Sequence, residues 1–97
     1  MNIPKNIKIG GFNYHVERPS SAFVSDGNAL DGEYIFTEKT IKVSANGCAD
    51  YQDLVFLHEV CHGIIEHYVS RKQDEEFVEQ FSKGLHQVLV DNPEIFS

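Results

Sequence analysis

Five consecutive residues, His58-Glu59-Val60-Cys61-His62, constrain this chain more than any other stretch, because they carry chemistry that works only on a helix. On an α-helix, residues i and i+4 stand one turn apart on the same face, so both imidazoles can grip a single metal ion. The neighbouring residues predict such a helix over positions 50–68. Asn46-Gly47 breaks what precedes it, Asp50 is placed to cap it, and Asp53 puts negative charge near the positive end of its dipole. At about 100° per residue, His58 and His62 share one side with Tyr51, Leu54 and Ile65, while Phe56 and Val60 lie opposite. A helix apolar on two sides is sandwiched, here between a sheet and a second helix. Glu59, beside the histidine pair, stands where metallopeptidases of this spacing keep a general base that does not itself bind the metal.

The residues before this helix read as strands. Ile7, Ile9, Phe12, Tyr14 and Val16 alternate around Gly10-Gly11, which predicts a hairpin within Ile3 to Arg18. Pro19 to Asp31 is rich in Ser, Asp, Gly and Asn and reads as an irregular connection, with a brief strand or turn around Ala22 to Val24. Glu33 to Ser44 alternates again about Thr37-Glu38-Lys39-Thr40 and predicts a second hairpin. Beyond the central helix, Ser70 to Gln73 is a polar link. Asp74 is a good N-cap for a helix ending near Val90, before Asp91-Asn92-Pro93. Its apolar stripe is Phe77, Val78, Phe81, Leu85, Val88 and Leu89. The expected fold is α+β: one domain over residues 1–97, with a small N-terminal antiparallel sheet of two hairpins, the central helix, and a C-terminal helix. A chain of 97 residues that is 41% hydrophobic supports one modest core.

Charge narrows the partners. A formal net charge of -7, with 8 Lys and Arg spread along the chain, argues against binding a nucleic-acid backbone. Met1 to Gly11 lacks a charged start followed by an apolar run, and no stretch approaches the roughly 20 apolar residues of a membrane span. The expectation is a cytoplasmic monomer with neither membrane nor nucleic acid as partner. Cys48 and Cys61 fit that compartment as free thiols. Cys61 reads as a small buried apolar residue. Cys48 invites comparison with peptide deformylases, which combine an upstream cysteine with a similar pair of histidines, but it lies only ten residues before His58 and lacks their surrounding motif.

Two histidines leave a catalytic zinc one protein ligand short, since such sites use three and keep a fourth position open. The metzincin pattern fails, because Ile65 and Tyr68 stand where it needs Gly and His. Glu66 and His67, farther along the same helix, are carried around the axis and away. The second helix opens with Asp74-Glu75-Glu76 and then Glu79. In projection Glu75 borders the apolar stripe and Glu76 points almost opposite it, so Glu75 is the expected ligand. Glu79, one turn on, is placed to accept the free ring N–H of a ligating histidine, and Ser82 and His86 continue that polar edge. Two histidines and a carboxylate suit manganese or iron as well as zinc.

HEVCH, followed by DEEFVEQFSKGLHQVLVDNP and preceded by GEYIFTEKTIKVS, resembles the short zincin-type metallopeptidases encoded by phages and prophages, relatives of the ImmA/IrrE group. The likeness spans Ile3 to Pro93, and HEVCH is its specific part. It implies a minimal zincin-like domain, of the gluzincin class, in the cytoplasm of a phage's bacterial host. It implies one Zn²⁺ per chain held by His58, His62 and Glu75, with Glu79 orienting a histidine. The implied activity is hydrolysis of peptide bonds in a peptide or protein substrate, as an endopeptidase, with Glu59 as general base and then acid and a zinc-activated water as nucleophile. Only 12 residues separate His62 from Glu75, fewer than in larger gluzincins, which requires a tight reversal near residues 69–73 and keeps Glu76 as the alternative ligand. Tyr34, His67, Tyr68 and His86 are all conceivable donors to an oxyanion. Two other readings compete: a metal-stabilised, non-hydrolytic regulatory protein that binds a host or phage protein, and a metal-free helical interaction domain.

Overall fold

Glycines shape the first turn. Gly10 and Gly11 sit at φ +62° and +82°, in the left-handed region that two-residue hairpin turns demand. They fold β1 (Asn6–Ile9) back on β2 (Phe12–Glu17), with Ile9 opposite Phe12. In the computed structural model, which describes residues 1–96, the stretch expected to be irregular forms a hairpin of its own. Asp26 and Gly27, at φ +50° and +80°, join β3 (Phe23–Ser25) to β4 (Asn28–Leu30). Asp-Gly is a strong hairpin signal, but three-residue strands are too short for an apolar alternation to reveal them. β5 (Gly32–Ile35) and β6 (Thr40–Val43) make the remaining hairpin.

The larger sheet has the order β1-β2-β6-β5. The expectation of an antiparallel sheet of two hairpins needs correction here, because β2 and β6 run parallel, with Val16 opposite Ile41. The reason is the β3–β4 excursion. It carries the chain past its neighbours, so β5 descends along the outer edge and β6 returns inside it, beside β2 and in the same direction. A parallel pair needs a long connection of this kind.

α1 (Ala49–Tyr68) crosses this sheet, and α2 (Glu75–Asp91) packs on α1. The N-cap of α1 is Cys48, without a side-chain cap bond, so Asp50 lies in the first turn and complements the dipole instead of capping. Asp74 does cap α2: its side chain accepts the amides of Glu76 and Phe77 at 3.0 and 3.4 Å. Phe56 of α1 joins Ile9, Tyr14, Val16, Ile41 and Val43 in the buried core, and Val55 and Val60 pack against it. On the side toward α2, Leu57 and Cys61 are buried, as are Val78 and Ser82 of α2 itself. Phe77, Phe81 and Val88, expected in a single buried stripe, are exposed. A six-residue stripe covers a wider arc than one neighbouring helix can cover. Pro93–Phe96 adds a final 3₁₀ turn. The result is a small α+β domain, and no helix among the described residues is long and apolar enough to cross a membrane.

One close approach ties the sheet to the histidine-bearing helix. A Cβ on Gly32 would stand 2.5 Å from Cγ1 of Val55 and 2.8 Å from Oε2 of Glu59, inside van der Waals contact. Only glycine lets β5 lie this near α1. Gly32→Ala is therefore expected to lower stability by about 1–3 kcal/mol, the usual cost of forcing atoms into a filled space. Urea denaturation measures it, and an unchanged midpoint would mean that strand and helix do not meet so closely.

Candidate metal centre

The reversal between the helices aims the site. Val69 and Ser70 both donate their amides to the carbonyl of Ile65, at 2.9 and 2.8 Å, which closes α1. The Asp74 cap then starts α2 pointing back along it, with Glu75 as its first residue. Glu75 thereby reaches both histidines. Its Oε1 lies 2.7 Å from Nε2 of His58 and its Oε2 lies 3.0 Å from Nε2 of His62. The two Nε2 atoms are 3.2 Å apart.

The outer ring nitrogens decide what these inner atoms carry. Gln73 donates its Nε2 to the backbone carbonyl of His62 at 3.0 Å, which turns its Oε1 onto Nδ1 of His62 at 2.7 Å. An amide oxygen only accepts, so Nδ1 holds a proton, and in the neutral ring Nε2 presents a lone pair. Ser82 donates its hydroxyl to the carbonyl of Glu79 at 3.1 Å and turns a lone pair toward Nδ1 of His58, 3.5 Å away. That leaves two imidazole lone pairs and a carboxylate converging on one point. Such a focus repels itself unless positive charge, a proton or a metal ion, stands in it. Three ligand atoms of a tetrahedral zinc at bonds of 2.0–2.1 Å would be about 3.3 Å apart, close to the separations here, and two histidines with a carboxylate are a zinc donor set. The residues present fit the ion.

Glu59 stands against this focus. It is only 8% exposed, and its carboxylate shares a group with His58 and His62 in which the ligand atoms all lie within 4.8 Å of one another. Burial above all, then the charges of Glu75 and Glu33, pushes its pKa up to about 8. A carboxyl with a pKa near the working pH is suited to exchanging protons. β5 forms the facing wall through Gly32, Glu33 and Tyr34, and it is the edge strand of its sheet. The Tyr34 ring stacks on His62, with centroids 6.4 Å apart and an interplanar angle of 15°. Its hydroxyl meets that of Tyr14 at 2.9 Å, and Tyr14 in turn meets Nε2 of His67 at 2.5 Å. Burial and the Tyr14 hydroxyl push the Tyr34 pKa well above the usual phenol value, so it stays neutral.

Other residues singled out by the sequence do not join the focus. The ring N–H of His58 faces Ser82, not Glu79, whose carboxylate sits 3.2 Å from Nζ of Lys83 and contributes only its backbone carbonyl to the arrangement. Glu79 is half-exposed and pairs with a lysine one turn on. Glu76 is exposed, and its amide bonds the Asp74 cap. Of the four conceivable oxyanion donors, only Tyr34 lines the cleft. His67 is engaged by Tyr14, and the Tyr68 hydroxyl accepts the amide of Gly10 at 3.1 Å. His86 belongs to a separate group with Asp50 and Asp53, where the Met1 ammonium lies 3.4 Å from Asp53. Cys61 is buried, which pushes its thiol pKa up, and Cys48 is exposed at the start of α1.

Gln73 and Ser82 are the two supports that the sequence reading missed in these roles. Ser82 left a signal, a polar residue inside an otherwise apolar stripe between Val78 and Leu85. Gln73 left almost none, being one polar residue in a polar link. Comparison of the chain with protein-family models, with curated proteins and with solved structures finds no match.

The clamp on His62 has a direct spectroscopic consequence. In metal-free protein, ¹⁵N shifts of the His62 ring should report the tautomer protonated at Nδ1, and Gln73→Ala should turn that signal into a mixture. A mixture already present in wild type would mean that Gln73 does not set the tautomer.

Proposed function

We propose that this chain is a zinc-dependent metallopeptidase, an endopeptidase of zincin type, in which His58, His62 and Glu75 hold one Zn²⁺ and Glu59 moves the proton. One observation carries the reading: nitrogen and oxygen donors from two helices converge at 2.7–3.2 Å beside the buried carboxyl of Glu59. When bound, zinc would polarise the scissile carbonyl and lower the pKa of the attacking water toward about 7.

The chain's own residues would do the rest. Glu59 takes a proton from the water as it attacks, then delivers it to the leaving nitrogen, and its burial places it where both transfers occur out of bulk solvent. Gln73 and Ser82 keep both Nε2 lone pairs directed inward. The free edge of β5 offers main-chain donors and acceptors to an extended peptide, and Gly32 brings that edge against Glu59. The Tyr34 ring supports His62 from the same wall.

Elemental analysis of purified, tag-free protein is the first test. One zinc per chain is expected, lost in Glu75→Ala and kept in Glu76→Ala, with affinity lowered about 10–100-fold in Gln73→Ala. Chelation should lower the melting temperature, because an ion that binds only the folded chain stabilises it. Folded wild type that takes up no metal when zinc is offered would overturn the reading. For catalysis, Glu59→Gln is expected to keep its zinc and lose about 10²–10⁴-fold in the rate of cleavage of an unstructured protein substrate. Undiminished cleavage by that variant would remove Glu59 from the mechanism.

A further inference from the structure

α2 presents three faces, and two of them have work within the chain. Val78, Ser82 and Leu85 turn toward α1, and Glu75 with Glu79 forms the flank beside the metal centre. The remaining flank carries Phe77, Phe81, Gly84 and Val88. Its large side chains are exposed, at 57% for Phe77, 54% for Phe81 and 52% for Val88. The two phenyl rings stack on each other at 5.8 Å and, with Ile64 and Val69 of α1, border an apolar groove of about 430 Å³. Gly84 is the odd member. A Cβ there would meet nothing within 4 Å, so no contact within the chain asks for glycine, although glycine in an exposed helix interior is costly relative to alanine.

The spacing of these four residues is four, three and four, that of a coiled-coil seam. It reads the same from either end. A second helix of the same sequence laid antiparallel therefore sets Phe77 opposite Val88, and Phe81 opposite Gly84, where the missing side chain leaves room for the ring. Gln80 and Gln87 flank the seam without charge and antiparallel dipoles attract, while the same spacing sets Asp74 opposite Asp91 at each end of the seam, which keeps the pairing weak. Each half-exposed phenylalanine offers about 100 Å². With Val88, Ile64, Val69 and the flanking glutamines, the paired surface reaches about 1,000 Å² in total, the size of a weak, transient interface.

We propose that two copies of this chain associate weakly and reversibly through antiparallel α2 helices in this register. The seam lies on the flank away from Glu75, so the metal centre stays open in the pair and the association does not depend on the peptidase reading. Each copy carries a net charge of -7, so the copies repel at long range, and added salt strengthens their association. A basic foreign helix docked on the same face would bind less tightly as salt rises.

Sedimentation equilibrium on the full-length chain tests this. The expected result is a concentration-dependent rise from one-chain to two-chain mass that is strengthened by salt. Phe81→Glu should weaken it about thirtyfold while leaving the circular dichroism spectrum of the single chain unchanged. Gly84→Leu should separate the effects: higher thermal stability of the chain with weaker self-association. Register is read by disulfide formation in a Cys48→Ser background, where Phe77→Cys chains mixed with Val88→Cys chains should cross-link faster than either alone. A one-chain mass at every concentration and salt, or self-association that ignores Phe81→Glu, would overturn the proposal. Equal cross-linking in all mixtures would overturn the register.

Discussion

The contact on which the rest of this structure depends is Glu75 reaching across to His58 and His62. α2 is poorly anchored by apolar burial alone. Val78 is its one wholly buried apolar side chain, whereas Phe77, Phe81 and Val88 stay in solvent. Polar groups also tie it to α1: Glu75 on both histidines, Gln73 on His62, and Ser82 toward His58. These groups repel one another unless positive charge enters among them, since two lone pairs and a carboxylate face inward with the Glu59 carboxyl close by. Docking of α2 and binding of a cation at the focus would therefore be linked quantities. An ion that binds the three atoms also holds the helix.

The opposite wall depends on a different constraint, the nearness of β5. Gly32 allows the strand to approach Glu59, and that approach is part of what buries the carboxyl and raises its pKa. Glu33 adds charge from the same strand. The mixed order of the sheet makes this possible, because the β3–β4 excursion sends β5 to the outer edge, where one side of its backbone is unpaired. A plain succession of two antiparallel hairpins would not by itself bring the chain back beside β2 in a parallel pair.

What was legible in the sequence was what has a local cause. The Gly10-Gly11 turn, the alternation around Lys39, the periodicity that carries His58 and His62 on one face, and the Asp74 cap all act within a few residues, and the structure contains each of them. The placing of Glu75 followed from one helical projection, and in the structure that carboxylate lies on both histidines. What was not legible has causes far apart in the chain. The parallel pairing of β2 with β6 depends on where a whole excursion ends. The choice of Ser82 over Glu79 as the partner of His58 depends on the depth at which α2 settles against α1. Gln73 gives no sign of its role until the reversal is built, because any polar residue would serve in a link that only had to turn.

The apolar pattern of α2 shows how far a periodicity can be read. Six apolar residues at spacings of three and four look like a single face. Their arc is wider than α1 can cover, and in the structure it divides: Val78, Leu85 and Leu89 turn inward, while Phe77, Phe81 and Val88 form a flank of their own. Hydrophobic spacing reports which residues avoid water and leaves open whether the surface that shelters them belongs to the same chain. The exposed Gly84, with nothing near its missing side chain, is the one residue in that flank whose identity a solitary helix does not explain.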